Sequence, residues 1–229
     1  VVVAILAVAV VAVMARPHPA PSEHPCCKPP PNTIAVRKVP PQWRTAAAHR
    51  NTEAAWDLLT PEAQRRYGSV GALRVALAGL APHPRGPATW HLVDQITQGG
   101  GTPSEFLYML IENKSLRPVC AIVVHSMANG SHDGRVDPEV ATTTKILEPA
   151  PHATVSAQPR IRTATGSPPD YVAVQAGGQI LGAVGAIRDG NGVDAPFEEA
   201  LKPGPALIIA VDFDGKTHFA YGSVRVTVR

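Results

Sequence analysis

The first fifteen positions are apolar without exception: Val1 to Ala15 reads VVVAILAVAVVAVMA, and Arg16, Pro17 and His18 then end the run. As a helix, fifteen residues rise about 22 Å, short of the ~30 Å hydrocarbon core of a bilayer. A full span would need further apolar residues ahead of Val1. Two readings follow. Val13-Met14-Ala15 offers a signal-peptidase site after Ala15, or residues 1–15 remain as an uncleaved membrane-anchor helix. Either way, the rest of the chain is expected outside the membrane, facing outward or secreted. Residues 16–41 hold nine prolines, including Pro29-Pro30-Pro31. Such a stretch favours an extended stalk.

The pattern then turns helical. Trp43 to His49 is helix-prone, Asn51-Thr52-Glu53 reads as a break and restart, and Thr60-Pro61-Glu62 combines an N-cap, a first-turn proline and an acid near the positive helix end. Gly68 is placed to stop that helix. Ser69 can cap another, in which Val70, Leu73, Leu77 and Leu80 recur at helical spacing. Beyond Pro87 the period becomes two: Trp90, Leu92, Asp94 and Ile96 alternate with His91, Val93 and Gln95. Strands are expected at Phe106–Ile111, Val119–Val124 and Glu139–Leu147. The second, apolar on both faces, reads as central. Helices followed by strands over residues 42–148 predict an α+β domain.

After Glu148-Pro149-Ala150-Pro151, residues 152–229 carry regular turn signals and almost no helical pattern. Strands are expected at Tyr171–Gln175, Gln179–Ile187, Ala206–Phe213 and Lys216–Arg229. Asp214-Gly215 reads as a two-residue hairpin turn. Phe219 and Tyr221 share one parity while Val224, Val226 and Val228 share the other, which predicts a bulge at Gly222-Ser223. The whole suggests an all-β immunoglobulin-like sandwich, without the Cys…Trp…Cys signature of antibody domains.

Composition narrows the partners. Net charge is +3 and no basic run exceeds Arg65-Arg66, so the interleaved basic and aromatic patch of a nucleic-acid binder is missing. Arginine over lysine, with abundant Ala, Pro and Val, leans towards a GC-rich bacterial source. The three cysteines, Cys26, Cys27 and Cys120, cannot form a complete disulfide framework, and Cys120 sits in an apolar run suited to a core position.

Chemical motifs are sparse. Gly68-Ser69-Val70-Gly71 misses the nucleophile-elbow spacing by one place. Gly99-Gly100-Gly101 leads into Thr102-Pro103 rather than a phosphate-binding helix. His125, His132, Asp133 and Asp137 lack a metal-ligand spacing, and Asp189, Asn191 and Asp194 fall short of a calcium loop because Val193 and Ala200 stand at ligand positions. Asn113-Lys114-Ser115 and Asn129-Gly130-Ser131 match the glycosylation acceptor pattern. No cofactor and no metal is expected.

The phrase Glu53-Ala54-Ala55-Trp56-Asp57-Leu58-Leu59-Thr60-Pro61-Glu62-Ala63-Gln64, followed by Tyr67-Gly68-Ser69 and an amphipathic helix, resembles the cone-shaped α+β family related to nuclear transport factor two, SnoaL and ketosteroid isomerase. It covers about 30 residues, and the following strands match by order alone. The resemblance implies a cone-like domain with a hollow between helices and sheet. Trp56, Tyr67, Trp90 and Tyr108 are the aromatic residues able to line that hollow, with His91 and Asp94 as polar members. The plainer reading makes Trp56 and Trp90 core anchors. No Tyr and acid set aligns with a ketosteroid isomerase site, so no catalytic residue is assigned. The expectation is a non-enzymatic cell-envelope protein that binds a small ligand or an envelope protein, with the membrane as a further partner if the helix is uncleaved. The alternative is an enzyme using the cone pocket for proton transfer or hydrolysis.

Overall fold

The computed structural model describes residues 36–97, 103–126, 134–142, 144–164, 169–175, 180–182, 187–189, 192–194, 200–213 and 219–229. The apolar run 1–15, the stalk up to residue 35, residues 98–102 with the Gly99-Gly100-Gly101 turn, and the 127–133 segment lie outside them.

Among the described residues four helices come first: α1 (Val39–Ala48), α2 (Thr52–Asp57), α3 (Pro61–Tyr67) and α4 (Val70–Leu80). The first starts inside the proline-rich stretch, at Val39, because Pro40 and Pro41 fall in its first turn, where the missing N–H costs nothing. Val36 and Val39 are already core residues. Asn51 Oδ1, Thr60 Oγ1 and Ser69 Oγ each accept the backbone N–H three residues on, capping α2, α3 and α4 in turn. Gly68 takes a left-handed φ of 73° to end α3. Leu73 and Leu77 form the buried stripe of α4, with Leu80 partly buried.

Four antiparallel strands follow in the order β1-β2-β3-β4: β1 (Ala88–Thr97), β2 (Pro103–Glu112), β3 (Pro118–Ser126) and β4 (Gly134–Asp137). The last differs from the expected Glu139–Leu147. Pro138 has no N–H to continue the ladder, and Gly134 is the one residue type that fits against Val124 and Val39, since a Cβ there would come within 2.9 Å of the valine. Leu59 bridges in parallel to Val136, carrying the α2–α3 junction onto the sheet edge.

Five strands make the second sheet, in the order β6-β13-β12-β8-β9: β6 (Thr154–Val155), β8 (Asp170–Gln175), β9 (Ile180–Gly182), β12 (Gly204–Phe213) and β13 (Phe219–Val228). Two small pairs accompany it, β5 (Ile146–Glu148) with β7 (Arg162–Thr163) and β10 (Ile187–Asp189) with β11 (Gly192–Asp194). The expected strand Gln179–Ile187 is thus two elements with different partners. Phe213 pairs with Phe219, so five residues, 214–218, connect β12 to β13 instead of two. They lie outside the described residues.

The layers explain the double-faced burial. Phe106, Tyr108, Ile122, Val124 and Val136 meet the helices, around Trp43, Leu59 and Leu73. Leu107, Met109, Ile111, Ala121 and Val123, on the opposite parity, pack against Val172, Val174, Leu207, Ile209, Val211 and Phe219 of the second sheet. The far face of that sheet is covered by Ile161, Leu201 and Ile146. Each fully buried side chain of this size contributes about 1.5–3 kcal/mol.

The expected bulge at Gly222-Ser223 does not form: β12 and β13 pair without a register shift from Gly204↔Val228 to Phe213↔Phe219. The parity change arises because β13 passes out from under the first sheet. Phe219 and Tyr221 lie against that sheet, whereas farther along Ser223, Arg225 and Thr227 are exposed and Val224, Val226 and Val228 stay buried on the far face.

Candidate functional site

The layer between helices and sheet is the place where a cone-like fold would hold a ligand. Here the large side chains fill it: Trp43 and Phe106 are fully buried, Tyr108 is buried, and Trp56, Tyr67 and Trp90 pack partly buried against them. Trp90 and Tyr108 are diagonal neighbours on β1 and β2, since Trp90 pairs with Leu110 and Leu92 with Tyr108. Among the described residues, the indole N–H groups of Trp43 and Trp90 and the Tyr108 hydroxyl have no hydrogen-bond partner. Burial pushes the Tyr108 hydroxyl pKa up, with Arg37 opposing.

Tyr67 packs against the edge of this layer with its ring. Its hydroxyl donates to Glu139 at 2.9 Å, and burial together with that carboxylate holds the phenol proton on. Arg66 beside it forks onto both Asp137 oxygens, at 3.1 and 2.7 Å, and donates to Glu139 at 2.7 Å. The set ties α3 to the end of β4. It is a structural clamp whose acids are all engaged, and the Glu139 backbone N–H closes it on Asp137 at 3.0 Å.

His91 and Asp94 do not join the aromatic residues. His91 stands opposite Met109, on the face turned to the second sheet, where burial lowers its pKa. A β-bulge between Leu92 and Asp94 places Asp94 opposite Leu107 on that same face. The strict alternation read from the sequence put Asp94 with Trp90 and Leu92; one extra residue in the ladder reverses it. Of the six residues expected to line one hollow, four lie on the helix side and two on the other.

Sequence reasoning missed that Glu105, His125 and Arg135 come together in a row across the first sheet, beside Ile96. Ile96, Glu105, His125 and Arg135 are successive cross-strand neighbours on β1 to β4. They share the parity of Leu107 and Val123, which faces the second sheet. Glu105 is buried, and its carboxylate lies 3.7 Å from His125 Nδ1. Glu105 carried no signal in the sequence because it begins a strand after a glycine-rich turn, where an exposed acid is ordinary. His132 and Asp133 lie outside the described residues. Among the described residues no three His, Cys, Asp or Glu side chains are placed to share a metal ion.

Cys120 is a free thiol on β3, pushed up to about 11 by burial, so it is protonated and a poor nucleophile at neutral pH. Glu112 anchors the β2–β3 hairpin. It accepts from Arg117, from Ser115 Oγ at 2.5 Å and from the Arg85 backbone N–H at 2.7 Å. These donors hold its carboxyl down to about 2.

An open concavity lies elsewhere, on the outer side of the helices. A cleft of about 620 Å3 runs between α1 and α2, lined by Pro41, Gln42, Thr45, Ala46, Asn51, Ala54, Asp57 and Leu58. Its walls are mostly apolar. Thr45 and Asn51 spend one hydrogen bond each on local backbone, to Pro41 O and from Ala54 N, and keep further capacity. A groove with few polar groups on an apolar floor suits binding better than bond-making. Comparison with models of protein families and with curated proteins finds no match for this chain.

Proposed function

We propose that this is a non-enzymatic, exported binding protein, membrane-anchored or secreted at the cell envelope, which takes a ligand or partner protein in the cleft between α1 and α2. The observation that carries the binding half is the division of space. The helix–sheet layer is occupied by Trp43, Phe106, Tyr108, Leu59 and Leu73, and an open concavity lies on the outer surface of the helix pair. The buried ionisable residues are elsewhere, with His91 and Glu105 toward the second sheet, Glu112 in a hairpin and Asp137 beneath Arg66. An enzyme of the cone type needs an acid or base inside a solvent-filled hollow.

Helices packed on one face of an antiparallel, bulged sheet support the cone-like reading of residues 42–148. The strand-rich remainder supports the immunoglobulin-like one, with the difference that the first sheet supplies a facing layer. The export half rests on the uninterrupted apolar run Val1–Ala15 followed by prolines.

Fractionation of cells expressing the chain, with mass determination of the mature amino terminus, tests export: recovery of an uncleaved chain in the cytosol overturns it. For binding, chemical-shift mapping against envelope extract fractions should concentrate on Gln42, Thr45, Ala54 and Leu58. A Thr45→Arg variant, blocking the cleft from an exposed wall, should abolish the shifts while leaving the melting temperature unchanged. Shifts that survive the block would place binding elsewhere.

A further inference from the structure

The facing sides of the two sheets each carry a carboxylate at the rim of their shared core, Asp94 partly buried and Asp170 exposed. On β1 the bulge sets Asp94 opposite Leu107, and on β8 the register sets Asp170 opposite Val211; Leu107 and Val211 both belong to that core. The two acids therefore lie on the facing sides of the two sheets. They lie near the rim, where Ile96, Val140, Phe213 and Tyr221 are only partly buried. Asp94 accepts a hydrogen bond from the adjacent Gln95 backbone N–H at 2.7 Å.

The other ionisable groups on this face are accounted for strand by strand. On β1 there is His91, held opposite Met109 on the far side of the bulge. On β2 there is Glu105, paired with Ile96, and on β3 His125, beside Glu105 at 3.7 Å. On β4 Arg135 pairs with His125, and Asp137 is held by Arg66. From the second sheet, β12 presents Leu207, Ile209 and Val211, and β13 presents Tyr221. Among these described groups, the charge that acts on Asp94 is that of Asp170, and it is of like sign.

We propose that Asp94 and Asp170 form a proton-dependent clasp between the two sheets. With Asp94 protonated, the layer carries no repulsion and packs closed. With both ionised, a buried charge and a like-charge pair load the same rim, and the sheets part there first. Burial, then the Asp170 charge, push the Asp94 carboxyl up to about 6. A carboxyl that binds its proton more tightly folded than unfolded stabilises fully below the ordinary carboxylate range and loses that contribution as pH rises through its folded value. The window is therefore about pH 4 to 7, with the closed state favoured on the acidic side.

The test is thermal unfolding of the full chain between pH 4.5 and 8, for wild type, Asp94→Asn and Asp170→Asn, with carboxyl-carbon NMR titration of Asp94 in the wild type. Asp94→Asn should match wild type at pH 4.5 and exceed it at pH 8 by about 4 °C. Asp170→Asn should move the Asp94 titration midpoint downward. Hydrogen exchange at β1 and β8 should quicken with rising pH, beyond the intrinsic increase, in wild type and not in Asp94→Asn. An Asp94→Asn offset equal at both pH values overturns the clasp, and so does an Asp94 midpoint near 4. The wild-type NMR titration decides the matter even if a variant fails to fold.

Discussion

The two faces of the first sheet are made from the same four strands, yet they behave differently. Toward the helices, alternate residues of β2 and β3 present Phe106, Tyr108, Ile122 and Val124 to an aromatic and aliphatic layer. Toward the second sheet, the intervening residues present Leu107, Met109 and Val123, but the same rows also carry His91, Asp94, Glu105 and His125. The ionisable chemistry of the described residues is concentrated in the layer between sheets, not in the hollow where a cone-like fold would place it. The lesson is that a resemblance carried by a helical phrase locates helices. It does not locate the charged groups: the side of Asp94 depends on a single bulge, and the burial of Glu105 depends on the sheet that packs opposite.

The comparison can be broken from either face. Trp43→Ala on the helix side should cost about 3–5 kcal/mol, the loss of a fully buried indole and the cavity it leaves. Leu207→Ala on the sheet side should cost about 2–5 kcal/mol by the same reasoning. Denaturant unfolding followed by tryptophan fluorescence and by far-ultraviolet circular dichroism should give coincident transitions in both variants, since the middle sheet belongs to both layers. Separate transitions would mean that the faces are independent folding units.

Gly222→Ala sharpens the sheet side. A Cβ at that position would lie 1.8 Å from the Thr144 carbonyl oxygen, a backbone atom that cannot rotate away. The strand and the 141–146 segment must separate, at about 1–3 kcal/mol, measurable as a lowered denaturation midpoint. On the helix side Thr60→Ala removes the acceptor for the buried Ala63 N–H and should cost about 1 kcal/mol, with Thr60→Ser restoring most of it. The smallest effect belongs to Glu112→Gln at the hairpin. Because its carboxyl is held down to about 2, it stabilises above the ordinary carboxylate range and is lost as pH falls toward 2. The variant should differ from wild type at pH 6 and converge with it near pH 2 in a thermal melt.

Local features were legible one residue at a time. Asn51, Thr60 and Ser69 cap because their oxygens reach N–H groups three positions ahead, a distance written entirely in the sequence. Gly68 stops α3 for an equally local reason, its positive φ. The double apolar character of Val119–Val124 correctly announced a strand covered on both sides. What remained illegible were the relations between distant segments. Val36 and Val39 sit in what reads as stalk, but they are buried because β3 and β4 lie beneath them. The parity change in β13 looked like a bulge and is instead the edge of an overlying sheet.

By itself, then, the chain determined the starts of α2, α3 and α4, its strand-rich second half and the order of the two, because hydrogen-bonding reach and side-chain periodicity act within a few residues. Tertiary structure decided that Asp94 lies on the side of the second sheet and not with Trp90, that Glu105 lies beneath a second sheet, and that the open cleft falls outside the helices. Burial is conferred by whatever packs opposite, and the residues that pack opposite are far away along the chain.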